Sequence, residues 1–114
     1  MRTVRPERVA SMIRQELARM LLFETKDPGV QGIVLTGARV SADLRIAWVT
    51  YQLHDVSPSG RAAAAEGLAR AAGFLRGSLK SRLSMRMVPE LRFEFDDHAN
   101  ATERIDAILK EVDE

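Results

Sequence analysis

The stretch from Leu68 to Arg92, LARAAGFLRGSLKSRLSMRMVPELR, constrains the fold of this chain more than any other. A run of good helix formers is interrupted at Ala71-Ala72-Gly73, resumes at Phe74 and ends before Pro89. The alternation Leu91, Phe93, Phe95 follows at once, so helical periodicity hands over directly to strand periodicity. Arg70, Arg76, Lys80, Arg82, Arg86 and Arg92 face a single acid, Glu90, across this stretch, a net of +5. The pattern predicts two helical pieces meeting at a kink, one side dry and the other basic, that lead into a strand. A glycine inside a helix costs roughly 1 kcal/mol relative to alanine and often marks a bend or a close approach. Gly77 and Ser78 follow, so the second piece is expected to start near Ser78.

The rest of the chain supplies partners for that unit. Pro6 suits the first turn of a helix, where its missing N–H costs nothing. Val9, Met12, Ile13, Leu17, Met20 and Leu21 then recur at helical spacing, predicting a helix from Glu7 to Glu24. Lys26-Asp27-Pro28-Gly29 stops it. Two β-branched runs, Ile33 to Val40 and Arg45 to Leu53, flank Ser41-Ala42-Asp43-Leu44 and read as an antiparallel hairpin. In the second run Ala47, Val49, Tyr51 and Leu53 share the richer apolar face, which is expected to meet the helices. Trp48, the only tryptophan, lies on the other face; packing is its ordinary reading and base stacking the sharper one.

After the turn-rich loop His54 to Gly60, the segment from Arg61 onward is helical, with Leu68, Ala71, Ala72, Leu75, Leu79 and Leu83 as its stripe. Leu91, Phe93 and Phe95 make a third strand, expected to pair in parallel with the second through the helical crossover. Asn100 and Glu103 have capping-box spacing before a last helix carrying Ile105, Ile108, Leu109 and Val112. The class is α+β: helices on one face of a three-stranded mixed sheet, in the order α-β-β-α-(kink)-α-β-α.

At 114 residues and without cysteine, the chain suits one modest core and a reducing compartment, with the cytoplasm as the expected location. The sequence has no apolar run near the roughly 20 residues that span a bilayer, and the basic N-terminus lacks a continuous apolar region of the signal-peptide kind. Overall charge is only +1, but it is polarised. From Glu94 to Glu114 eight acids face two bases, a net of −6.

A cluster of Arg70, Arg76, Lys80, Arg82 and Arg86 would neutralise several phosphates and make binding steeply salt-dependent. At 100° per residue Arg76, Lys80 and Ser84 fall together. Gly73 would let a nucleic-acid backbone come close, and a helix starting after it would offer free N–H groups to phosphate. Arg2, Arg5 and Arg8 are expected to extend the surface. Phe74, Phe93 and Phe95 are expected in the core, leaving recognition to RNA shape and phosphate contacts. The bland alternative is two solvated helix faces of opposite bias. No P-loop, HExxH, GxSxG or dinucleotide glycine pattern occurs, and His54-Asp55 and Asp97-His98 are poor metal sites because neighbours in an extended chain point apart. No cofactor, metal or catalytic residue is expected.

The motifs together carry a resemblance. Arg8-Val9, Lys26-Asp27-Pro28, Val40-Ser41-x-Asp43-Leu44, Ala71-x-Gly73-Phe74 with Leu75-Arg76, Val88-Pro89-Glu90-Leu91 and Asp96-Asp97 occur in the order of the ribosome-binding factor A family, which the chain resembles over nearly its whole length. That resemblance implies a type II KH-like fold and a single RNA-binding domain over residues 1–114, without a long C-terminal tail. It implies a non-enzymatic monomer that binds the free small (30S) ribosomal subunit and assists late maturation of 16S rRNA, notably at its 5′ end and in the cold. It also implies that Ala71, Ala72 and Gly73 replace the Gly-x-x-Gly loop of ordinary KH domains. Ala42 departs from the proline usual in the family's hairpin. A second reading is a protein-binding adaptor docking through its acidic C-terminal helix.

Overall fold

The computed structural model describes residues 5–97. The expected last helix, with Ile105, Ile108, Leu109 and Val112, lies outside the described residues, as do Arg2 and His98.

Helix α1 runs Pro6–Phe23, with Pro6 in its first turn and Glu7 near the positive end of its dipole. Val9, Ala10, Ile13, Leu17, Met20 and Leu21 are its buried stripe. The helix ends as Asp27 accepts a 2.8 Å bond from the Gly29 N–H, setting a short 3-10 turn over Pro28–Val30. That turn drives Val30 into the core.

Strands β1 (Ile33–Val40) and β2 (Ile46–Leu53) form the expected antiparallel hairpin. Its loop is shaped by Ser41, whose Oγ accepts from the Arg45 and Ile46 N–H groups while donating to Asp43. Ala47, Val49 and Tyr51 of β2 are buried, so the richer face does meet the helices.

Helix α2 spans Pro58–Arg82, started by Ser57, whose hydroxyl accepts from the Gly60 N–H. It is one continuous helix of 25 residues. The expected division into two pieces at Ala71-Ala72-Gly73 is therefore corrected, as is a second start near Ser78. Alanines before Gly73 and the buried Leu75 and Leu79 after it carry the helix through. Each buried leucine contributes about 1.5–3 kcal/mol, more than the roughly 1 kcal/mol that glycine costs.

Strand β3 (Glu90–Phe95) pairs in parallel with β2, giving the sheet order β1-β2-β3. Leu91, Phe93 and Phe95 point inward as expected, packed against the core. Phe74 does not join them: it is 52% exposed, and its assignment to the core is corrected. At the end of β3, Asp96 accepts from Thr36 at 3.0 Å and Gln52 bonds the Asp96 carbonyl. Among the described residues no helix is long and apolar enough to cross a membrane.

Candidate nucleic-acid interface

The exposed side of the second half of α2 is where most of the expected site residues fall. Its outward residues include Arg70, Gly73, Phe74, Arg76, Gly77, Lys80, Ser81 and Arg82, while Ala71 is half-buried. Gly73, Phe74, Gly77, Ser78, Ser81 and Arg82 line one shallow depression on this surface. A Cβ placed on Gly73 or Gly77 would meet no neighbouring atom within 4 Å. The two glycines are one helical turn apart, so their bare backbone forms an open floor.

The cations divide into two groups. Arg70 holds Asp27 with two bonds, Nε to Oδ2 at 2.8 Å and Nη2 to Oδ1 at 3.0 Å. This guanidinium, with the Gly29 N–H, lowers the Asp27 pKa from 3.8 to about 2. Arg76 turns back on the loop after α2, its Nη2 donating to the Val88 carbonyl at 2.8 Å. Arg82 bridges to α1, reaching Glu16 at 3.5 Å and also Glu24. These three arginines staple the fold. Lys80 and Arg86 are exposed, and no ion pair or side-chain hydrogen bond holds either among the described residues. The Met85 N–H bonds the Lys80 carbonyl, which brings the Arg86 loop back onto the end of α2.

Ser84 does not complete the row with Arg76 and Lys80. It lies beyond the helix with φ 51°, a left-handed residue of the reversing loop. The free N–H groups expected after Gly73 are likewise absent, because the unbroken helix occupies them. Arg5, the N-cap of α1, and Arg8 in its first turn are exposed. The groove between α1 and β1 is lined by Pro6, Glu7, Ala10, Ser11 and Arg14 with Gly37–Val40, and neither of these two arginines is among its walls.

Gly77, Ser81 and Phe74 join the surface without having been singled out for it. Continuing the helical count past Gly73 would have found the first two: positions 73, 77 and 81 share one face.

The element order and the mixed sheet with both helices on one face define a small α+β domain of the KH-like kind. A family model described as Ribosome-binding factor A matches residues 5–109. The chain is 45% identical over 109 residues to ribosome-binding factor A of Magnetococcus marinus, covering 94% of this chain and 87% of that one. It is 42% identical to the Thioalkalivibrio sulfidiphilus protein of the same name, over 92% and 81% of the two chains. The crystal structure of ribosome-binding factor A from Thermus thermophilus shares the fold, with a TM-score of 0.69 at 23% identity over 79% of this chain and 93% of that one. A Thermus thermophilus model fitted into a cryo-EM map of a 30S complex gives 0.64 at 23% identity, over 77% and 91%. The chain belongs to the ribosome-binding factor A family.

Proposed function

We propose that this chain is an assembly factor of the small ribosomal subunit. It binds the free 30S particle in the cytoplasm and assists late maturation of 16S rRNA, including its 5′ end, as a monomer and without catalysis. Family membership supports the ribosome-binding part, and a Thermus thermophilus relative has been fitted into a 30S complex. The single observation that carries the contact surface is the glycine floor of α2 at Gly73 and Gly77, exposed beside Lys80, which has no ion-pair partner among the described residues. Bare helix backbone lets a phosphate chain lie close, and Lys80 and Arg86 supply charge that no carboxylate among the described residues consumes. Arg70, Arg76 and Arg82 lend positive field to the same surface while holding the structure that presents it; Ala71 backs it, and Arg5 and Arg8 extend it along α1.

The test is co-sedimentation with purified free small subunits across a salt series. Lys80→Glu with Arg86→Glu is expected to weaken association strongly and to flatten its salt dependence by about two in log–log slope, roughly one per lost phosphate contact. Thermal unfolding should be unchanged, since neither side chain holds the fold. Undiminished association of that variant would remove this surface from the reading. An adaptor acting through acidic residues would show little salt slope instead.

A further inference from the structure

The face of the sheet turned away from the helices carries a second arrangement that the α2 surface does not use. The strand register sets Arg39 of β1 opposite Trp48 of β2, and Trp48 opposite Arg92 of β3. Strand alternation puts all three side chains on the outer face. They form one row across the sheet, a cation on each side of the single tryptophan. The Arg39 guanidinium carbon lies 4.4 Å from the centre of the Trp48 ring, a cation–π stack on the surface. Arg39 and Arg92 are exposed, and Trp48 is half-buried.

We infer that this row is a binding site for an unpaired stretch of RNA. A base extends the guanidinium–indole stack, and a flanking phosphate lies against Arg92. The chemistry selects this occupant. Indole and guanidinium planes are the two surfaces on which splayed-out bases stack. Of the acids on this face, Glu90 pairs with Arg92 at 3.0 Å and the Asp96 carboxylate accepts from Thr36 at 3.0 Å, with Glu94 between them along β3. An exposed ion pair such as that of Glu90 and Arg92 is worth little and gives way to phosphate easily. A protein partner would need a broader dry patch, yet the neighbours on this face are Thr36, Thr50, Gln52, Glu90 and Glu94, with only Ile46 and Val34 as aliphatic members. The inference rests on the proposed RNA-binding role but concerns the opposite side of the molecule from α2.

Trp48 is the only tryptophan, so its emission reports on this site alone. The experiment titrates the full chain with a mixed-sequence single-stranded RNA of about ten nucleotides, within the length one small domain grips. Binding is followed by anisotropy of a labelled copy, and access to Trp48 by acrylamide quenching. Saturating RNA is expected to lower quenching at least about twofold, whereas a duplex of the same sequence should leave it unchanged. Arg39→Gln with Arg92→Gln should weaken binding roughly tenfold and abolish the protection while leaving thermal unfolding in place. Binding by anisotropy with Trp48 still open to acrylamide would overturn the site. So would equal protection by duplex, failure of the oligonucleotide to bind at low salt, or protection by RNA-free small-subunit proteins. The Lys80 and Arg86 variant separates the two readings. If that variant loses the small subunit while RNA leaves Trp48 unprotected, only the sheet face fails; if Trp48 is protected and that variant binds normally, only the α2 surface fails.

Discussion

Helix α2 carries glycine in two opposite settings. At Gly67 its backbone touches the turn after α1. A Cβ there would sit 2.8 Å from the Gly29 carbonyl carbon, and one on Gly29 would sit 2.7 Å from the Ala63 carbonyl oxygen. At Gly73 and Gly77, two turns along the same helix, a Cβ would meet nothing. The first pair explains itself: two main chains approach until only hydrogen fits between them. The second pair has no such reason among the described residues. Glycine in an exposed helix interior is a net cost, so an isolated fold gains nothing from Gly73 or Gly77. The difference separates a seam that builds the domain from a surface that something else must approach.

The same substitution should therefore act with opposite sign at the two places. Gly67→Ala is expected to destabilise by about 2 kcal/mol, because backbone on both sides must move apart and the gain in helix propensity does not compensate. Urea unfolding measures it. A variant as stable as the parent would mean that α2 and the turn at Gly29 are not in contact in solution.

The outer glycines should behave in reverse. Gly73→Ala is expected to raise stability by up to about 1 kcal/mol, and Gly77→Ala by a similar amount. Both should weaken co-sedimentation with small subunits, since each adds a methyl group to the floor. A stabilised variant that binds as well as the parent would leave these glycines without a role and blunt the comparison.

Much of this was legible in the sequence. Strand limits and the inward face of β2 followed from alternation, because one buried face fixes the register of every side chain on it. The helix break was misread because propensity weighs Gly73 alone, whereas burial of Leu75 and Leu79 decides the outcome. Phe74 was misplaced because its apolar character outweighed its position, one step around the helix from Leu75. For the basic residues, periodicity reaches only part of the chemistry. Periodicity shows that Arg76 and Arg82 point outward. It cannot show that the loop folds back to offer the Val88 carbonyl, or that α1 crosses close enough to offer Glu16 and Glu24. Those partners are set by tertiary contacts between residues distant in sequence.

The smallest expected effect sharpens the seam side of the comparison. Asp27 caps the turn that holds Gly29, and Arg70 of α2 grips it from across the seam. Its carboxylate is favoured in the folded state, with a pKa of about 2 against an ordinary 3.8. A carboxyl group depressed on folding contributes stability above its unfolded value, and that contribution is lost as pH falls through the folded one. The advantage of the parent over Asp27→Asn should thus hold steady at neutral pH and shrink from about pH 4 towards pH 2, as thermal midpoints would show. Its size is limited by solvent, since the Arg70 side chain is 57% exposed. Small-subunit binding at neutral pH should survive Asp27→Asn, because the clamp lies on the seam and away from Lys80. An advantage that persists undiminished at pH 2 would mean that Asp27 holds Gly29 against Gly67 through its shape and hydrogen bonds alone, with its charge contributing nothing.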